Sequence, residues 1–529
     1  MASAVVVVGV TVLAPLGGAR SFAAQPPTFP ADVELVRLDV IVLDNEGRSV
    51  EGLTAADFRV EENGRQQAIT SFQPVVVRAR SVEDPQPRPT IAAAPRRHVP
   101  TDGRCLLLFI DDTHLGPSVA QQLRLHLIPF ASQDLSEGDW VTVVAPQAGV
   151  WWEARTAWER AQIPAIIGRI EGQYSRDPFH LGVDEYRAME AVERSDAPRT
   201  MGRSLGGTGI IAGDLRAEEA YAVVRRRIAI TLTALRLAVS SLAGFAGHKS
   251  LVLYSQGFIL APRFPEFDDI VELARRANVA VHFVDPRGLE SGCATADSPT
   301  AAGAPCGAPG TARRYAVGGA VSIAEATGGR ESLSNDPVLE VRRILAESQA
   351  YYLVGYAPSD TRPGQRRVRV SVRGDGLHVV ARTRYVRRSS AARSNHPALP
   401  AALRSVSDSD GIPLRGEVHF PGLGTPASTA GRPPAQRTPV PVAIVLELPA
   451  EPSGGRVRRY SVLVEARARD RGKAIVDRAE IKVMPGASPF RLERRLSLSS
   501  GVWQTRAVVQ DFDTGQLGSI LLSFETPSG

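Results

Sequence analysis

The chain reads as an α/β protein: a doubly wound, mostly parallel sheet set between a small N-terminal β-rich module and a C-terminal β-sandwich. Three observations predict this. Cys105-Leu106-Leu107-Leu108-Phe109-Ile110 is an unbroken apolar run, and such a run fits a central strand covered on both faces. Beyond it, strand-length apolar runs alternate with helix-period segments, the pattern of successive parallel β–α units. On either side, over residues 30–77 and 439–529, the apolar period falls to two and convincing helical spacing is lost.

A length of 529 residues predicts about three or four domains. With 43% apolar and 22% charged residues the chain is globular and can bury sizeable cores. The formal charge of +6 is modest, and the cations are almost all arginine, lysine occurring only at Lys249, Lys473 and Lys482. Acidic residues are interspersed among the arginines, so no basic block points to nucleic acid.

In chain order, residues 1–23 read as an export signal peptide. Ala4 to Leu16 is apolar apart from Thr11, and Ser21-Phe22-Ala23 gives a small-x-small cleavage pattern, although no Lys or Arg precedes the apolar core. The stretch is short for a membrane span and no other segment suffices. The expected location is therefore secreted or periplasmic. In that oxidising setting Cys293 and Cys306, which bracket a Gly/Ala/Pro-rich loop, could close a disulfide, three unpaired thiols being the alternative.

Val36, Leu38, Val40 and Val42 alternate as a half-buried strand, Thr54 to Asp57 has capping-box spacing, and Asn63-Gly64 marks a type I′ hairpin. Residues 78–100 read as a linker. The α/β domain spans 101–387. In it Val119, Leu123, Leu127 and Phe130 define a helix starting at Pro117, and Trp140 to Ala145 a strand. Trp158, Ile163, Ile166, Ile167 and Ile170 mark another helix. An insertion over 171–216 precedes a long helix from about Ala217 to Phe245. Strands at Leu251 to Tyr254, Val279 to Val284 and Tyr351 to Val354 alternate with helices at 270–277, 321–326 and 337–348, and a loop occupies 288–312. Hairpin-like segments at 366–372 and 377–386 close the domain. A Pro/Ser/Arg-rich linker, 388–438, leads to the sandwich, with strands expected at 440–448, 459–466, 474–483, 490–497 and 502–512.

The central strand ends on Asp111-Asp112-Thr113-His114-Leu115, where an open α/β sheet places its ligands. This segment, with Leu53 to Phe58, Gly247 to Val252 before Ser255-Gln256-Gly257-Phe258, Val284 to Leu289, Thr327 to Arg330 and Tyr351 to Pro358, resembles the bacterial von Willebrand factor A (VWFA)-related proteins first grouped in acidobacteria. The resemblance covers about residues 32–385. It implies a Rossmann-like VWA-type domain whose top face carries a metal-ion-dependent adhesion site: an Asp-x-Ser-x-Ser loop, a second-loop Thr and a third-loop Asp around Mg²⁺ or a similar divalent cation. On that pattern Asp111, Thr113 and Thr156 are the candidate ligands. The set is degenerate, because Leu115 stands where the second serine belongs and Gln256 where the third-loop Asp belongs. Loss of oxygen ligands weakens Mg²⁺ binding. In the alternative reading the two aspartates only cap the next helix and brace loop amides. Asp112, His114, Ser255 and Gln256 are the expected partner-contacting residues of the top face.

Other chemistry fits poorly. Asp111-Asp112-Thr113 lacks the second acid of an Asp-x-Asp-x-Thr phosphatase, Ser255 has no Gly-x-Ser-x-Gly context, and Gly206 to Gly209 follows no strand. His282 reads as a core histidine, and Trp151 and Trp152 as either an exposed patch or packing. The expected function is that of an exported, non-enzymatic binding or adhesion-type protein whose partner is a protein or cell surface. A metal-assisted hydrolase using Asp111 and Asp112, or a purely structural scaffold, are the alternatives.

Overall fold

A computed structural model describes residues 36–76, 92–93, 104–135, 139–174, 208–245, 248–259, 266–288, 308–360, 362, 364–381, 384–387, 399–405, 408–409, 411–421, 439–449, 457–470, 472, 474–484 and 489–527. The expected signal peptide, Cys293 and Cys306 lie outside them.

The chain opens with β1 (Val36–Leu43), β2 (Phe58–Glu62), β3 (Arg65–Gln67) and β4 (Ile69–Val76). Strand alternation sends Val36, Leu38, Val40 and Val42 into one core. Asn63 and Gly64 both take positive φ, 49° and 80°, which an Asn-Gly type I′ turn demands. The short β5 (Ala92–Ala93) follows.

The wound sheet comprises β6 (Arg104–Ile110), β7 (Trp140–Ala145), β8 (Val150–Ala154), β9 (His248–Tyr254), β10 (Ala280–Val284) and β11 (Glu331–Ser332), in the order β11-β10-β9-β6-β7-β8. All its pairings are parallel except the edge pair β7–β8. Leu106, Leu108 and Ile110 of β6 enter a core with the helices Pro117–Gln133, Ile163–Gly168 and Leu339–Glu347. Cys105, Leu107 and Phe109 enter the opposite core with Thr208–Ser241, Glu266–Ala277 and Ala308–Thr327. Both faces are covered, which is why Cys105 to Ile110 carry no charged or hydroxyl side chain. Each such side chain contributes about 1.5–3 kcal/mol. The result is a mixed α/β domain compatible with the Rossmann-like expectation.

Several boundaries differ. The helix expected across Trp158 to Ile170 is two short ones, Ala157–Arg160 and Ile163–Gly168. The long helix starts at Thr208, inside the expected insertion, and another starts at Ala308, inside the expected 288–312 loop. Trp151 and Trp152 are buried in β8, so they form no exposed patch.

The larger correction concerns β12 (Ala350–Tyr356), β13 (Gly364–Val372), β14 (His378–Ala381) and β15 (Arg384–Arg387). Their sequence places them in the α/β domain, yet β12 pairs antiparallel with β1 and β4, and β13 with β2. Two four-stranded sheets result, β14-β1-β12-β4 and β15-β13-β2-β3. The wound sheet is thus inserted between two halves of one β unit. Burial on both faces explains the error: Tyr352, Val354 and Tyr356 fill one core and Tyr351 and Leu353 another, so the apolar run does not reveal its sheet.

The C-terminal sheets contain β16 (Arg415–His419), β17 (Val440–Leu448), β18 (Arg458–Ala468), β19 (Ile475–Val483), β20 (Phe490–Leu498), β21 (Gly501–Asp511) and β22 (Leu517–Thr526). They order as β20-β17-β16-β5 and β19-β18-β21-β22 around a shared core. Here β16 and β5 come from the two expected linkers. The strand β22 had no sequence counterpart, because Gly518, Ser519 and Ser523 dilute its apolar signal. Among the described residues no helix is long and apolar enough to cross a membrane.

Candidate functional site

Strand β6 lies between β7 and β9, and its outgoing connection and the later return to β9 leave on opposite sides. That makes the β6/β9 end the topological switch point, where open α/β sheets bind ligands. Asp111 follows β6 and Ser255 follows β9, and the two meet there.

Asp111 is fully buried. Thr231 Oγ1 donates to its Oδ1 at 2.7 Å and Ser255 Oγ to its Oδ2 at 2.7 Å. His114 Nδ1 lies 2.9 Å from Oδ2 and 3.1 Å from Thr231 Oγ1. Burial opposes the charge of Asp111, but attraction to His114 and hydrogen bonds from His114, Thr231 and Ser255 outweigh it and hold the carboxyl below the usual aspartate range. The ring of His114 also meets Phe258, centroids 5.5 Å apart.

Asp112 has a different task. It accepts the Gln147 and Ala148 amides at 3.0 and 2.7 Å, bracing the β7–β8 turn. Burial raises its carboxyl to about 6, the amides opposing that shift and the charge of Asp111 adding to it. Gln256 Oε1 accepts the Gly116 amide at 2.7 Å, at the start of helix Pro117–Gln133, while its carbonyl accepts Arg287 Nη2 at 2.8 Å. Arg287 in turn grips buried Asp285 through both carboxylate oxygens, at 2.9 and 2.6 Å.

Of the expected metal ligands, Asp111 and Thr113 sit together. Thr113 Oγ1 is buried without a hydrogen-bond partner among the described residues, and Leu115 is in the core. Thr156 is elsewhere. It follows β8, whose last residue Ala154 pairs with Val141 at the start of β7, so it lies at the opposite end of the sheet, about 15–20 Å away by strand rise. Its hydroxyl accepts the Glu159 amide and caps Ala157–Arg160. The antiparallel turn of β8 is the reason, since it returns the chain to the bottom edge. The residue that replaces it, Thr231, was missed. Its signal was a lone hydroxyl on the buried helical stripe Val224, Ile228, Leu235, Ala238 and Leu242.

Residues 171–174 roof this loop. Gln173 and Tyr174 amides donate to the Asp112 and Leu115 carbonyls, both at 2.9 Å. A Cβ on Gly172 would fall 2.3 Å from the Leu115 oxygen, so only glycine permits the approach.

Mg²⁺ prefers near-octahedral oxygen ligation. Here both Asp111 oxygens already accept hydrogen bonds, from three side chains in all, Leu115 offers no oxygen, and Thr156 is remote. Among the described residues no cluster of three or more His, Cys, Asp or Glu side chains could hold a metal. The expected ligand set of Asp111, Thr113 and Thr156 is therefore not brought together at one point.

No family model and no curated protein matches the chain. Among solved structures it overlaps the TFIIH p34 N-terminal domain at 14% identity and a TM-score of 0.20, over 46% of this chain and 95% of that one. It also overlaps a β-glucosidase from Listeria innocua in complex with isofagomine at 7% identity and a TM-score of 0.13, over 82% of this chain and 48% of that one. Overlaps this weak carry no argument about the chain.

Proposed function

We propose that this is an exported, non-enzymatic binding protein of the VWFA-related type, which contacts a protein or cell-surface partner through the loops at the β6/β9 end without a bound cation. The observation that carries the reading is the closed hydrogen-bond knot of Asp111, His114, Thr231 and Ser255 at the switch point. It makes the adhesion-type loop rigid from within, and a preorganised surface loses less entropy on binding. Asp112 and Gln256 extend the same economy, each spent on holding a neighbouring loop or helix start.

The test is a photo-crosslinking residue at Gln256 in the full chain, incubated with the envelope fraction of the producing cell. A discrete protein adduct is expected, unchanged by EDTA and absent when the label replaces Leu125, an exposed position on helix Pro117–Gln133. Adducts from both positions, or EDTA-sensitive ones, contradict the proposal. So does turnover of simple ester or phosphoester substrates that is lost on Asp111→Asn.

A further inference from the structure

We infer that a cleft at the opposite end of the strands, between the wound sheet and the N-terminal β unit, binds a small zwitterion, an α-amino acid being the simplest. The cavity has a volume of about 380 Å³, with Asp39 of β1 and Val380 of β14 on one wall and the last turns of helices Glu266–Ala277 and Ala308–Thr327 on the other. Small-molecule sites begin near about 300 Å³.

Four charged side chains line it, Asp39, Lys249, Arg275 and Glu325, and the last two keep polar atoms without a partner among the described residues. Arg275 donates through Nε to the Ala326 carbonyl at 2.9 Å, and its two terminal amino groups have no partner among the described residues. The Glu325 carboxylate likewise has no hydrogen-bond or ion-pair partner there. The other two are engaged: Lys249 Nζ donates to the Phe245 carbonyl at 2.9 Å, and Asp39 accepts Asn278 Nδ2 at 2.7 Å. Asn278 reaches across from a left-handed backbone, φ 55°, and so ties the two walls together.

With two positive and two negative side chains lining the cavity, neither a simple anion nor a simple cation is favoured overall. A zwitterion satisfies both free groups. Its carboxylate takes the planar fork of the Arg275 terminal amino groups, which matches a carboxylate in two places. Its ammonium is drawn to Glu325 and to the helix C-terminal carbonyls, where the backbone dipoles leave partial negative charge.

The test is calorimetric titration of the full chain with each standard L-amino acid in turn, and with the N-acetyl and carboxamide forms of whichever binds. Heat is expected from at least one free amino acid, with Kd rising about tenfold or more on blocking either end and in R275Q and in E325Q. R275K keeps the charge without the fork and should fall between. Unchanged melting temperatures for these half-exposed or exposed positions separate lost binding from lost folding. Silence from every free amino acid overturns the inference. So does equal binding of the blocked forms, or wild-type affinity in both R275Q and E325Q.

Discussion

Asp111 and Asp112 are neighbours with opposite electrostatics, and the difference comes from what each accepts. Asp111 accepts hydrogen bonds from His114 and two hydroxyls and is held low. Asp112 is buried against two amides and the charge of its neighbour, and rises to about 6. The stability consequences have opposite signs. For Asp111, whose folded carboxyl is depressed, stability is present above the ordinary aspartate value of about 4 and is lost as pH falls below it. For Asp112, whose folded carboxyl is raised, stability falls as pH climbs from about 4 through about 6, then levels. Carbon-detected NMR of the carboxyls should give a midpoint near 6 for Asp112, and Asp112→Asn should flatten the decline of urea stability over that range. A midpoint at the ordinary aspartate value would remove the argument. Thr231→Val should cost about 1–2 kcal/mol by deleting a donor to a buried carboxylate, read from denaturant midpoints. The bracing of loop amides by Asp112 matches the alternative reading of the Asp-Asp pair, whereas the knot around Asp111 had no counterpart in it. The sequence places both acids at a strand end, but partners as distant as Thr231 and Gln147 are joined to them only by tertiary packing.

Elements were legible where one periodicity dominated. The apolar run of β6 and the helix from Pro117 follow directly from burial on two faces and on one stripe, respectively. Legibility failed at β12 and β22. The first is buried on both sides and so carries no mark of its partners; the second is thinned by small residues. The edge strand β8 shows another limit. Its Glu153 amide donates to Gln504 Oε1 at 3.0 Å and its carbonyl accepts Gln504 Nε2 at 2.6 Å, so one side-chain amide from β21 stands in for a neighbouring strand. Arg506 joins Glu153 at 2.6 Å and Arg155 joins Asp408 at 3.0 Å in the same buried seam. Gln504→Ala should therefore cost about 2–4 kcal/mol by orphaning two buried backbone groups. An unprotected edge also invites strand addition, so the variant should self-associate in sedimentation velocity runs where the wild type does not.

At the scale of the molecule, the wound domain is held twice: both ends return to the N-terminal β unit through β4 and β12, and β8 leans on the C-terminal sandwich. A chain ending after residue 349 removes β12 and β13, which pair with β1, β4 and β2. It should lose the protection of β1 amides in hydrogen exchange, although the sequence of residues 30–77 reads as a small β-rich module of its own. The same arrangement leaves the β6/β9 loops on a scaffold braced from two sides, with their polar groups turned inward. Titration of the full chain with Mg²⁺ and with Mn²⁺, alongside Asp111→Ala, tests that claim most directly. The account predicts no stoichiometric heat in either protein. Saturable heat in the wild type that disappears with Asp111→Ala would contradict it.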